Sequence, residues 1–193
     1  MKHIRNISLL AAALICAAPA LAETVTYKGK PGSSVTISGT STIHDWTVES
    51  KLIGGSMEFN GNLDKPGKVD AKGESMISVR SIKSDKKAMD DVMHAAMKSD
   101  EHKRIDFKLK ELIAEGGMKF KATGDLSVAG VTKEVKFPVT MEKGDDNVMK
   151  VKGELDTKMT DFGITPPSPP IAGGVIKTGD DVKIVFEWLT QKK

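Results

Sequence analysis

Cysteine is almost missing from this 193-residue chain, with Cys16 the single example, and aromatic side chains make up only 5% of it. Charge of one sign is also scarce, with a formal net of +3. Each shortage closes a door. Beyond Cys16 there is no thiol for a disulfide staple or a cysteine nucleophile. So few aromatics do not supply a stacking platform for single-stranded nucleic acid. The charges are spread along the chain instead of massed, so they describe a solvated face and not a nucleic-acid patch. No apolar run reaches the roughly 20 residues needed to span a bilayer as a helix.

The longest apolar run covers residues 7–18, behind Lys2 and Arg5 and ahead of Pro19. Ala20 and Ala22 then stand three and one before a cut after residue 22. That arrangement reads as a secretory leader over 1–22, removed on export. Cys16 is not a lipid-attachment site, because Ile15 precedes it and Ala13 stands three before. The remaining residues, 23–193, are expected to form one domain in the periplasm or outside the cell, with no integral membrane segment. Without Lys2 and Arg5, 27 basic residues face 26 acidic ones.

The dominant pattern has a period of two. Ile105, Phe107 and Leu109 alternate with Asp106, Lys108 and Lys110. Residues 69–80, 118–128, 135–141, 149–159 and 182–188 follow the same rule, which means strands with one buried and one wet face. Gly116-Gly117, Ala129-Gly130 and 144–147 join them closely enough for antiparallel hairpins. Further strands fit 23–29, 33–41 and 45–60, the last bending at Gly54-Gly55. About eight or nine such strands close into an all-β antiparallel barrel, since closure removes exposed edges. A two-sheet sandwich is the alternative architecture.

One helix interrupts the strands. Ser84 is expected to cap it, with Asp85 at its start and Lys98 near its end. Met89, Val92, Met93, Ala96 and Met97 form one apolar stripe, suited to closing a barrel end. Three of the five are Met, an adaptable residue at surfaces that accept varied apolar partners. Several inward positions are small: Ala71, Gly73, Ser75, Ala122, Gly124, Gly153 and Thr157. They either hollow the barrel for a ligand or make room for rings such as Phe107, Phe120 and Phe137.

Catalytic and metal motifs are lacking. His44, His94 and His102 show no paired-ligand spacing. There is neither a Gly-x-Ser-x-Gly nor a phosphate-loop motif. The proline-rich segment 166–170 reads as a loop before the final strand. No enzyme activity, cofactor or metal is expected.

The stretch Gly39-Thr40-Ser41-Thr42-Ile43-His44-Asp45-Trp46 resembles the second-strand motif of the YceI-like family. Ser78-Val79-Arg80-Ser81-Ile82-Lys83, the Met helix and Ile105-Asp106-Phe107 are similar to its middle block. So are residues 124–133 and Met159-Thr160-Asp161-Phe162-Gly163-Ile164. Where that family often has a proline before the Ile105 strand, this chain has His102-Lys103-Arg104. The resemblance implies a lipocalin-like extended barrel that carries a polyisoprenoid, a quinone-like lipid or another amphiphile. Its apolar wall would use Trp46, Phe59, Ile77, Val79, Phe107, Phe120 and Phe137. Met89, Met93, Met97, Met159 and Phe162 would complete it. His44, Arg80, Lys83 and Arg104 are candidates for a polar head group, cations being suited to phosphate. The competing reading is a stress-related structural or interaction protein with a filled barrel. Strand 23–29 is a candidate edge for a homodimer.

Overall fold

The computed structural model describes residues 24–60, 63–171 and 174–193. The leader 1–22, Cys16 and Glu23 lie outside them. The strands are β1 (Thr24–Gly29), β2 (Ser34–Ser41), β3 (Trp46–Ser50), β4 (Gly54–Asn60), β5 (Gly67–Ser78) and β6 (Arg104–Gly116). They continue with β7 (Lys119–Val128), β8 (Val131–Lys143), β9 (Val148–Lys158), β10 (Pro170–Ile171), β11 (Gly174–Val175) and β12 (Thr178–Lys192). Helix α1 (Lys87–Ala96) lies between β5 and β6.

Ten strands form one antiparallel sheet in the order β1-β4-β5-β6-β7-β8-β9-β12-β2-β3. A further pairing of β1 with β12 closes eight of them into a ring. The last strand does two jobs. Residues 190–192 pair with β1, while residues 178–187 pair with β2, which carries β3 beside it. The barrel is therefore an extended one, as the family resemblance implies, and of the two architectures the alternation allows the sandwich is excluded. The hairpins at 117–118 and 144–147 mark its closed end. Helix α1, the β7–β8 turn and the long connection from β9 to β12 gather at the other end, the mouth.

Some boundaries differ from the sequence reading. The stretch 45–60 is two strands, interrupted at 51–53. Gly55, with φ of 125°, opens the second, packed so closely on the Glu74 carbonyl that no Cβ fits. The strand ending near Arg80 stops at Ser78, and Val79–Ser81 form a 3-10 turn. Strand β1 pairs with β4 over Thr24–Lys28 and with β12 over Tyr27–Gly29, so it is an inner strand along its second half.

The small inward residues divide between both explanations. Ala71, Gly73, Ser75, Ala122 and Thr157 face the interior space. Gly124 and Gly153 serve packing instead. A Cβ on Gly124 would lie 2.5 Å from the Phe107 ring, and one on Gly153 2.5 Å from the Phe186 ring. Those rings are fixed against Phe137, with centroid separations of 5.4 and 5.9 Å. Gly124→Ala and Gly153→Ala are each expected to cost about 1–3 kcal/mol through overpacking. Urea unfolding of the two variants checks this, and a midpoint unchanged in either would show that its ring moves freely.

Candidate ligand-binding cavity

The barrel does not fill itself. The closed end is packed by Tyr27, Phe59, Phe120, Met149 and Trp188, all at most 9% exposed. Above them lies a cavity of about 600 Å³. That is within the roughly 300–1,000 Å³ of ordinary ligand pockets. Phe107, Phe137 and Phe186 form a belt of rings around its waist, with Leu109, Leu155 and Ile184 between the strands. At the mouth it is bounded by Ile43, His44, Trp46 and the connection through Pro167, Pro169 and Ile176.

Helix α1 roofs the cavity. Met89, Val92, Met93, Ala96 and Met97 all line it, as the stripe implies. These residues are only half-buried, while the polar Asp90 and His94 are the buried residues of the helix. The inversion has a physical cause: the apolar stripe faces empty space, and the polar face is the one bolted to the wall. The Asp90 carboxylate accepts hydrogen bonds from the Ser84 backbone N–H (2.6 Å) and hydroxyl (2.8 Å), with Lys83 Nζ at 3.8 Å. His94 Nε2–H donates to the Ile82 carbonyl at 3.0 Å. That carbonyl can only accept, so the proton is on Nε2. Glu49 and Lys83 exchange both backbone hydrogen bonds at 2.8 Å, tying this segment to β3. Ser84 thus acts through Asp90 and the Lys86 N–H, not as the helix cap. The cap position is Lys86, which makes no side-chain cap bond.

Of the residues expected to form the wall, Trp46, Phe59, Ile77, Met89, Met93, Met97, Phe107, Phe137, Met159 and Phe162 do. Val79 and Phe120 do not. Val79 is fully buried in the 3-10 turn, and Phe120 is sealed in the packed closed end. Among the expected head-group residues only His44 borders the cavity, its ring Nδ1 2.7 Å from the Asp45 carbonyl. Arg80 pairs outside with Asp100, Lys83 with Asp90 and Arg104 with Asp106. They flank the helix in sequence, but none of the three lines the cavity. Sequence reading did not single out Ile184 and Phe186 as site residues, although both carry the alternation of β12.

The profile of the YceI-like domain matches residues 26–188. The chain belongs to the YceI-like family. Solved relatives share the fold at low identity. A Burkholderia cenocepacia protein, BcnA, is 18% identical over 81% of this chain and 95% of its own, with a TM-score of 0.67. A polyisoprenoid binding domain from Saccharophagus degradans, implicated in plant cell wall breakdown, is 13% identical over 90% and 99%, with a TM-score of 0.63. The Campylobacter jejuni YCEI protein is 19% identical over 76% and 84%, at 0.56. No curated protein matches the sequence.

Among the described residues of this YceI-like chain, no cluster of His, Cys, Asp or Glu is arranged to hold a metal ion. None of the described helices is long and apolar enough to cross a membrane.

Burial alone would raise the Asp90 pKa, but the Ser84 donors, aided by Lys83 and His94, outweigh it and hold it below the ordinary 3.8. A depressed carboxyl pKa contributes stability above the unfolded value, lost as pH falls through the folded one. Asp90→Asn is expected to cost about 1–3 kcal/mol. Its difference from the parent should be constant above about pH 5 and shrink toward acid. Thermal unfolding of both proteins from about pH 7 down to about pH 3 measures it, and a difference that grows toward acid would contradict the assignment.

Proposed function

We propose that this protein is an exported carrier that holds the apolar chain of an amphiphile, of polyisoprenoid or isoprenoid-quinone type, inside its barrel. The observation that carries the reading is the unfilled interior beneath a methionine roof. Burying roughly 25 cal/mol of favourable transfer per Å² of apolar surface, a hydrocarbon chain gains most where wall and roof are both apolar. The wall of rings and aliphatic side chains provides that, and so do Met89, Met93 and Met97. Thioether side chains adapt to chains of differing contour. The related domain from Saccharophagus degradans, described as polyisoprenoid binding, supports the choice of ligand class. The leader read over 1–22 supports export to the periplasm or beyond.

The wall favours binding over catalysis. At its rim the Ser41 hydroxyl donates to the His44 backbone carbonyl at 2.7 Å and not to the imidazole, whose Nδ1 has a backbone carbonyl, not a carboxylate, beside it. A filled structural barrel is disfavoured by the half-exposed stripe of α1, which a packed core would have covered.

Solvent extraction of natively purified protein, followed by mass spectrometry, is expected to yield a long-chain lipid at about one per chain. Ala71→Phe, which places a ring in the cavity, should abolish co-purification and leave thermal stability unchanged or higher. A clean extract from the parent, with no uptake of a fluorescent prenyl probe, would contradict the proposal.

A further inference from the structure

The barrel wall is forked. Strands β8 and β9 pair only between Val139–Lys143 and Met149–Gly153. Toward the mouth, residues 131–138 of β8 pair with β7 alone, and residues 154–158 of β9 pair with β12 alone. Pro138 stands where the ladder stops. Its carbonyl oxygen lies 3.0 Å from where a Cβ on Gly153 would sit, so its main-chain edge faces β9. The ring has removed the N–H that would have carried the ladder onward. The outer charges follow the same division. Lys152 pairs with Glu142 across the laddered half, at 2.8 Å. Beyond the fork, Glu134 pairs with Lys110 on β6, whereas Glu154 and Lys158 pair with Lys183 and Asp181 on β12. Among the described residues no ion pair spans the fork.

The fork opens onto the cavity. Val135 and Phe137 on one side, and Leu155 and Thr157 on the other, line it. Between them sits the turn Thr160–Phe162, whose Phe162 is 4% exposed and packs with Leu126, Val128 and Ile164. The turn is pinned chiefly by Asp180, whose backbone carbonyl accepts from the Met159 N–H at 2.9 Å, while the Asp161 carboxylate accepts from the Lys158 N–H at 3.3 Å. The Asp180 carboxylate accepts from the Thr160 N–H at 2.9 Å and from its hydroxyl at 2.7 Å.

We infer that the β8–β9 fork is a lateral slot through which a linear apolar chain enters and leaves the cavity, with Phe162 as its plug. This rests on the carrier reading above. Two routes compete. Lifting α1 strips the buried Asp90 carboxylate of its donors and breaks the His94 bond. Spreading the fork breaks no strand ladder; it gives up the two Thr160 hydrogen bonds to the half-buried Asp180 carboxylate and uncovers Phe162. A slot one strand-gap wide passes a flexible prenyl chain end-on and refuses a rigid polycyclic body.

The experiment follows release of a dansyl-labelled geranylgeraniol probe from the protein to phosphatidylethanolamine–phosphatidylglycerol vesicles. In the register that pairs Val139 with Gly153, the exposed Lys136 and Asp156 stand opposite each other across the fork. Residues 23–193 contain no cysteine, so Lys136→Cys with Asp156→Cys gives a unique site for a reducible bismaleimide staple. Stapling is expected to slow release by about tenfold without changing the amount bound, as an effect on the off-rate alone. Reduction of the staple should restore the rate, and Phe162→Ala should release faster than the parent. Probe that is bound normally but released at the same rate by stapled and reduced protein would overturn the slot and leave the carrier reading standing. Failure of the unstapled protein to bind the probe would overturn the carrier reading itself.

Discussion

The double pairing of β12 is the constraint on which the rest of the structure depends. Its final residues close the eight-strand ring against β1, and its first half carries β2 and β3 upward. Closure leaves the apolar faces no direction except inward, and it removes the edges that would otherwise template aggregation. The extension lifts the wall beyond the packed floor of Phe120 and Trp188, and so creates height that the side chains do not fill. Without the pairing to β1 the floor would be open; without the pairing to β2 there would be no chamber above it.

A hollow interior needs a roof that does not fall in. Helix α1 has an apolar stripe strong enough to be drawn into the barrel, and burying it there would gain on the order of 1.5–3 kcal/mol per large side chain. What opposes that collapse is the polar anchorage on its other face. Asp90 and His94 are buried and bonded to residues 82–84, which are stitched to β3. Moving the helix inward would leave a buried carboxylate without partners, at a cost of several kcal/mol. Polar bonds therefore hold the methionines at the cavity surface, ready for an apolar chain.

Much of this was legible in the residues themselves. Alternation marked the strands, and the spacing of Met89, Met93 and Met97 marked the roof. The period-two pattern also set the inward face of Phe107 and Phe137. It assigns a face and not a depth, which is why Phe120 belongs to the floor although its pattern matches that of Phe107. Depth is fixed by the register of strands distant in sequence, including the bulges between β6 and β7. Arg80, Lys83 and Arg104 flank the helix in sequence, yet each pairs with a carboxylate away from the cavity lining. The anchorage of α1 was hidden because Asp90 and His94 carry ordinary charges at ordinary helical positions. The fork had one local sign, a proline inside a strand, and the rest of it is a matter of which strands meet.

The space under α1 is a chamber that can take an apolar chain and not a packed core. A crystal structure of the protein purified from its own host without detergent tests it directly. Elongated, continuous electron density is expected, running from Phe59 past the Phe107–Phe137–Phe186 belt to Met97. A chamber collapsed onto its own side chains, with α1 sunk into the barrel and no density beyond isolated waters, would contradict it.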